Sequence, residues 1–241
     1  MWIILGAAIA PALLLLYYVY SKDFRPEPKN LVFKGALYGA LAVLVSSAFS
    51  TPLLLAGWIP ENPATLGQAV RISFLGAAIP EESAKLLMLW LLLRNCREFD
   101  ERYDGLVYAA AIGLGFAAVE NIMYVLSAGA GWFQVSVTRA LFAVPGHFAF
   151  AIVMGYFYSK NHFEWYHATP WSRAKIWLYP VLLHGTYDTL AFSSGLGNAW
   201  SGVLSLALLV FCFFLFRAIR KRILDEAALA RIPLGDLPDE Q

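Results

Sequence analysis

Residues 72–93 read Ile-Ser-Phe-Leu-Gly-Ala-Ala-Ile-Pro-Glu-Glu-Ser-Ala-Lys-Leu-Leu-Met-Leu-Trp-Leu-Leu-Leu, an apolar run with Glu81, Glu82 and Lys85 set inside it. About 20 apolar residues in a helix cover the hydrocarbon core of a bilayer. A charge near the centre of such a helix costs at least about 2.5–3.5 kcal/mol. Three ionisable residues within five positions therefore demand partners. Glu81 and Lys85 are i, i+4 and Glu82 and Lys85 are i, i+3, so both carboxylates share a helical face with the ammonium. Pro80 removes a backbone donor just before the pair and favours a kink there.

Outward from this run the same pattern repeats. The chain has 241 residues, is 59% hydrophobic and only 15% charged, against roughly 25% charged in soluble domains. Seven spans are predicted: Trp2–Tyr20, Phe33–Trp58, Ile72–Leu93, Leu106–Leu126, Val137–Tyr158, Ile176–Phe192 and Val203–Phe216. The third is expected to begin earlier, near Thr65. The fold class is an all-α polytopic membrane protein. Residues 1–223 form one transmembrane domain with its functional core at about 65–195, and residues 224–241 form a polar tail expected to be mobile. The first run lacks a basic n-region and is long for a signal peptide, so it reads as a retained span.

Of the 18 Lys and Arg residues, 15 fall after the first, third, fifth and seventh spans. Basic residues accumulate on the cytoplasmic side. The expected topology has the N-terminus outside and the C-terminus in the cytoplasm, in the cell inner membrane. Arg139 reads as a marker of the outer boundary. No basic stripe outside the membrane flanks suggests nucleic acid. The two cysteines, Cys96 and Cys212, can form neither a disulfide framework nor a CxxC metal pair.

Spans four to six carry further polar groups: Glu120 and Asn121, His147 after Val144-Pro145-Gly146, and His184 with Asp188 one turn on. At about 1.5 Å per residue, Glu81, Glu120, His147, His184 and Asp188 all fall roughly 12–22 Å above the cytoplasmic end of their helices. Four helices thus contribute polar groups to one layer, the pattern of a shared cavity. Asp188 can orient His184. Gly146 and Gly185 are expected to let helices approach closely beside the histidines. Each group alone admits a structural reading, as an ion-pair network, interhelical polar glue or a satisfied core histidine. Their common depth favours function.

Glu81-Glu82-x-x-Lys85, Phe116-x-x-x-Glu120, a histidine on the next span and His184-x-x-x-Asp188 occur in order on consecutive spans. This set resembles the PrsW family of bacterial intramembrane proteases over roughly residues 65–195. It is more distantly similar to the CAAX prenyl endopeptidase and bacteriocin-processing membrane proteases, which tend to have Arg in place of Lys85 and His in place of Glu120. The resemblance implies first-site cleavage of a single-pass anti-sigma factor on the extracytoplasmic side, in stress signalling.

The expected chemistry is peptide hydrolysis by activated water. Glu81 or Glu82 is the general base. His147 and His184 position the water and stabilise the oxyanion, with Lys85, Phe116, Glu120, Asn121 and Asp188 supporting. No covalent nucleophile is expected, since Ser83 and Thr186 lack a distinct base. A metal-free glutamic mechanism is favoured over a zinc one, because no HExxH helix is present. Two histidines and a carboxylate can nonetheless hold zinc, with His147, His184, Glu120 and Asp188 as candidate ligands. The alternatives are an ion- or proton-coupled carrier, disfavoured by the lack of an inverted repeat, and an inactive scaffold. A cleavage assay separates the protease from both.

Overall fold

In a computed structural model describing residues 2–197 and 199–231, the chain forms seven long helical segments and, among the described residues, no strand. They are α1 (Trp2–Tyr20), α2 (Lys29–Leu55), α3 (residues 66–93), α4 (Arg102–Ser127), α5 (Gly129–Phe163), α6 (Pro170–Ser194) and α7 (Ser201–Leu229). Five of them, α1, α2, α4, α5 and α7, are long and apolar enough to cross a membrane. The other two, α3 and α6, carry Glu81, Glu82 and Lys85 and His184 and Asp188. The protein is therefore an all-α polytopic membrane protein. Leu13, Leu14, Leu206, Phe213 and Phe214 on α1 and α7 are exposed, as suits surfaces whose solvent is lipid.

Helix starts follow local chemistry. The Thr65 hydroxyl accepts the Gln68 N–H at 3.3 Å and caps α3 where the sequence suggested. Thr169 and Ser172 cap α6 reciprocally, with Pro170 at the first helical position. This start extends α6 six residues beyond the expected Ile176, through a polar turn that hydropathy does not register.

Two helices are interrupted by π-helical turns, Ile72–Ala78 in α3 and Arg139–Ala143 in α5. Each lies just before a proline, Pro80 and Pro145. A proline ring inside an α-helix clashes with the carbonyl four residues earlier. Those carbonyls belong to Gly76 and Leu141, both inside the π turns. The wider turn accommodates the ring without breaking the helix.

Helix α4 is the centre of the bundle and packs against α1, α2 and α5. Small residues make the approach possible. At Gly39 of α2, an added Cβ would lie 1.9 Å from the Ile112 carbonyl oxygen of α4. Backbone cannot yield as a flexible side chain can. Gly39→Ala is expected to destabilise the fold by about 3 kcal/mol, read as a lower melting temperature in detergent. Gly67→Ala, at a position with nothing within 4 Å, is the control and should melt like the parent.

Ion pairs gather the α1–α2, α3–α4 and α5–α6 joins and the end of α7 at one end of the bundle. Arg25 pairs with Glu101, and Arg102 reaches Glu164 at 2.7 Å and Glu226 at 3.3 Å. Burial pushes the Asp23 carboxyl in the first join up to about 7, against the Arg25 N–H bond that lowers it, with Glu101 and Glu27 adding repulsion. The polar tail expected from Leu224 is helical at its start. Helix α7 runs through Leu229, because Glu226 is buried and paired within the ionic end of the bundle. Residues 232–241 lie outside the described residues.

Candidate active site

Beyond the π turn of α3, Glu81 and Glu82 occupy the first turn of its last α-helical stretch, 100° apart around the axis. That angle gives them different surroundings. Glu82 is fully buried. Its Oε1 receives the Lys85 ammonium at 2.8 Å and faces His184 Nδ1 at 2.8 Å. Glu81 keeps 13% of its side chain exposed and lies 3.4 Å from Lys85 Nζ and 4.0 Å from His184 Nε2. Lys85 also stands 3.1 Å from His147 Nδ1 and 4.1 Å above the Phe116 ring centroid. A single buried cation thus links α3, α4 and α5.

The two histidines come together as expected, with ring centres 5.2 Å apart. His147 Nε2 meets Glu120 Oε2 at 2.7 Å, and His184 Nε2 meets Asp188 Oδ2 at 3.3 Å. Phe150 stacks on His184 at 4.9 Å. Gly185 performs its expected role, since a Cβ there would lie 2.4 Å from the Phe74 ring. Gly146 does not: its space faces only Phe150 on the same helix, at 3.5 Å.

Arg139 is the residue that sequence reading misplaced. Instead of marking a boundary, its guanidinium turns inward. It donates to Glu120 at 2.7 Å and to Asn121 Oδ1 at 2.8 Å, and lies 4.1 Å from the Tyr124 ring centroid. Asn121 is pinned in turn by donating to the Ala8 carbonyl of α1 at 2.6 Å. All nine site residues picked from sequence belong to this one network, and Arg139, Phe150 and Tyr124 join it.

A cavity of about 620 Å³ opens onto the network. Glu81, Glu120, Arg139, His147, His184 and Asp188 line it, whereas Glu82 and Lys85 lie behind its wall. It extends to Pro60 and Glu61 in the α2–α3 join, away from the ionic end of the bundle. Glu81, Glu82, His147 and His184 each offer a ligand atom within 4.8 Å of the others. Two imidazole nitrogens with carboxylate oxygens are a donor set that zinc accepts, so the residues fit such an ion. Glu120 and Asp188 instead lie against the histidines' Nε2 atoms.

A cavity lined by ionisable side chains and walled by membrane-type helices defines a polytopic membrane protein built for chemistry inside the bilayer. The family model described as "PrsW family intramembrane metalloprotease" matches residues 27–219. Protease PrsW of Geobacillus kaustophilus is 33% identical over 212 residues, 86% of this chain and 88% of that protein. Protease PrsW of Bacillus subtilis is 34% identical over 190 residues, 78% and 82% of the two chains. That of Clostridioides difficile is 33% identical over 188 residues, covering 75% and 76%. No solved structure matches the chain significantly. The chain belongs to the PrsW protease family, and its class is intramembrane protease.

Proposed function

We propose that this protein is an endopeptidase that cuts a single-pass membrane protein, with Glu81 as the general base acting on water. The observation that carries the assignment is the unequal placement of two adjacent glutamates. Glu81 reaches the cavity, while Glu82 is enclosed behind it and held by Lys85 and His184. A base must reach the proton that it abstracts, and only the first glutamate meets the cavity.

In this scheme Glu81 takes a proton from a water lying between it and His184. The hydroxide attacks the scissile carbonyl, and the free N–H groups of Arg139 receive the developing oxyanion. Arg139 uses two of its five N–H donors on Glu120 and Asn121 and keeps others for this purpose. The proton held on Glu81 then passes to the leaving amine as the C–N bond breaks. Glu82 and Asp188 orient His184, Glu120 orients His147, and Lys85 supplies fixed positive charge behind the carboxylates. Zinc held by Glu81, Glu82, His147 and His184 would supply Lewis acidity toward the scissile carbonyl. Lys85 already brings a cation to that cluster, which favours the glutamic scheme.

The basic joins support an orientation with the N-terminus outside and the ionic end in the cytoplasm. The cavity then reaches toward the extracytoplasmic face, in keeping with first-site cleavage of an anti-sigma-factor-like substrate. The test is proteoliposome cleavage of a tagged single-pass substrate. Cleavage is expected to survive exhaustive chelation. Loss of activity that stoichiometric zinc restores would assign the cluster to a metal and defeat the metal-free scheme, and absence of cleavage of any single-pass substrate would overturn the protease reading.

A further inference from the structure

At the opposite end of the bundle from the cavity, Asp23 and Glu27 in the α1–α2 join meet Asp104 in the first turn of α4. All three are more than nine-tenths buried. One oxygen from each lies within 4.8 Å of the others. Their protein donors are few. Asp23 Oδ1 accepts the Arg25 N–H at 2.9 Å. Asp104 Oδ2 accepts the Asp100 and Glu101 N–H groups at 2.9 and 2.7 Å. Glu27 accepts the Tyr108 hydroxyl.

What remains points to a ligand. Asp23 Oδ2 is buried with no hydrogen-bond partner, and the contact between Asp104 and Glu27 is a hydrogen bond only when one of the two carboxyls keeps a proton. The Arg25 guanidinium in this join is paired with a fourth carboxylate, Glu101. Three carboxylates gathered away from water repel one another strongly, and a buried carboxyl group either keeps its proton or stays charged by being paired or bound to metal. Every donor of this trio is a carboxylate oxygen, with neither imidazole nor thiolate. Such a set selects hard cations over zinc. Oxygens up to about 5 Å apart can share one Ca²⁺ at 2.3–2.6 Å, and those up to about 4.2 Å apart one Mg²⁺.

We propose that Asp23, Glu27 and Asp104 form a binding site for a hard divalent cation, Ca²⁺ or Mg²⁺, that pins the α1–α2 join to the start of α4. The bonds around it already tie the same pieces: Tyr103 donates to the Val19 carbonyl at 2.9 Å and Tyr20 to the Glu27 carbonyl at 3.0 Å. The site shares no residue with the cavity lining and stands whether or not the proteolytic scheme holds.

The test uses the full chain in detergent after chelation, titrated separately with Ca²⁺ and with Mg²⁺ to about 10 mM, above the 10⁻⁴–10⁻³ M range of weak calcium sites. Calorimetry should show one ion bound per chain, and the melting temperature should rise with the ion that binds. The stronger of the two titrations identifies the ion. Asp23→Asn, in the join and outside any helix, should weaken binding at least about tenfold, one lost charged ligand being worth more than about 1.4 kcal/mol. Glu81→Gln should bind the ion like the parent. No binding of either cation to the parent chain would overturn the proposal. So would binding that Asp23→Asn leaves unchanged or that Glu81→Gln abolishes.

Discussion

Glu81→Gln is expected to lower substrate turnover by about 10²–10⁴-fold and to leave the melting temperature close to that of the parent. Glutamine keeps the shape and hydrogen-bonding capacity of the side chain but cannot carry the proton from water to the leaving amine. Little of the fold depends on the lost charge, because the Glu81–Lys85 contact is the longer of the two ion pairs, at 3.4 Å against 2.8 Å. Glu82→Gln should also reduce cleavage, by a different route. It loosens Lys85 and His184 together and should cost stability as well as rate. Near-parental cleavage by Glu81→Gln would remove the general base from the scheme.

Lys85→Met should produce the largest loss of stability, about 3–5 kcal/mol, because removing one partner of a buried ion pair strands the other. The stranded group is Glu82, which has no exposure and whose second oxygen has no hydrogen-bond partner. The cation–π contact with Phe116 is lost at the same time. Combining Lys85→Met with Glu82→Gln removes both charges and should recover much of the melting temperature without recovering cleavage. If Lys85→Met melted like the parent, the ammonium would not be the charge that holds this layer together.

The polar layer was legible in sequence because the bilayer makes each ionisable group conspicuous. The i, i+4 spacing of His184 and Asp188 foretold a contact that is present at 3.3 Å, and the Glu82–Lys85 spacing foretold a pair present at 2.8 Å. What could not be read was rotation. Which of two neighbouring glutamates meets the cavity depends on how α3 packs against α4 and α6, and adjacent residues give no local sign of it. The distribution of basic residues reads Arg139 as a boundary marker, because it registers charge and not the carboxylate that an arginine meets on a neighbouring helix. Asp23, Glu27 and Asp104 give no sign in sequence because acidic residues contribute little to orientation and Asp104 is distant from the other two along the chain. Helix α7 continues past the expected span end at Phe216, where hydropathy falls, because ionic contacts such as Arg102–Glu226 hold its last turns.

The two π turns before Pro80 and Pro145 make this centre a matter of chain length as much as of side-chain identity. Excising one residue from either turn, even a featureless alanine such as Ala77 or Ala143, would close the wide turn to α-helical spacing and press the proline ring against the carbonyl four residues earlier. In α5 that clash would fall between Arg139 and His147, which both hold Glu120. A single-codon deletion could thus dismantle the constellation and spare every residue in it.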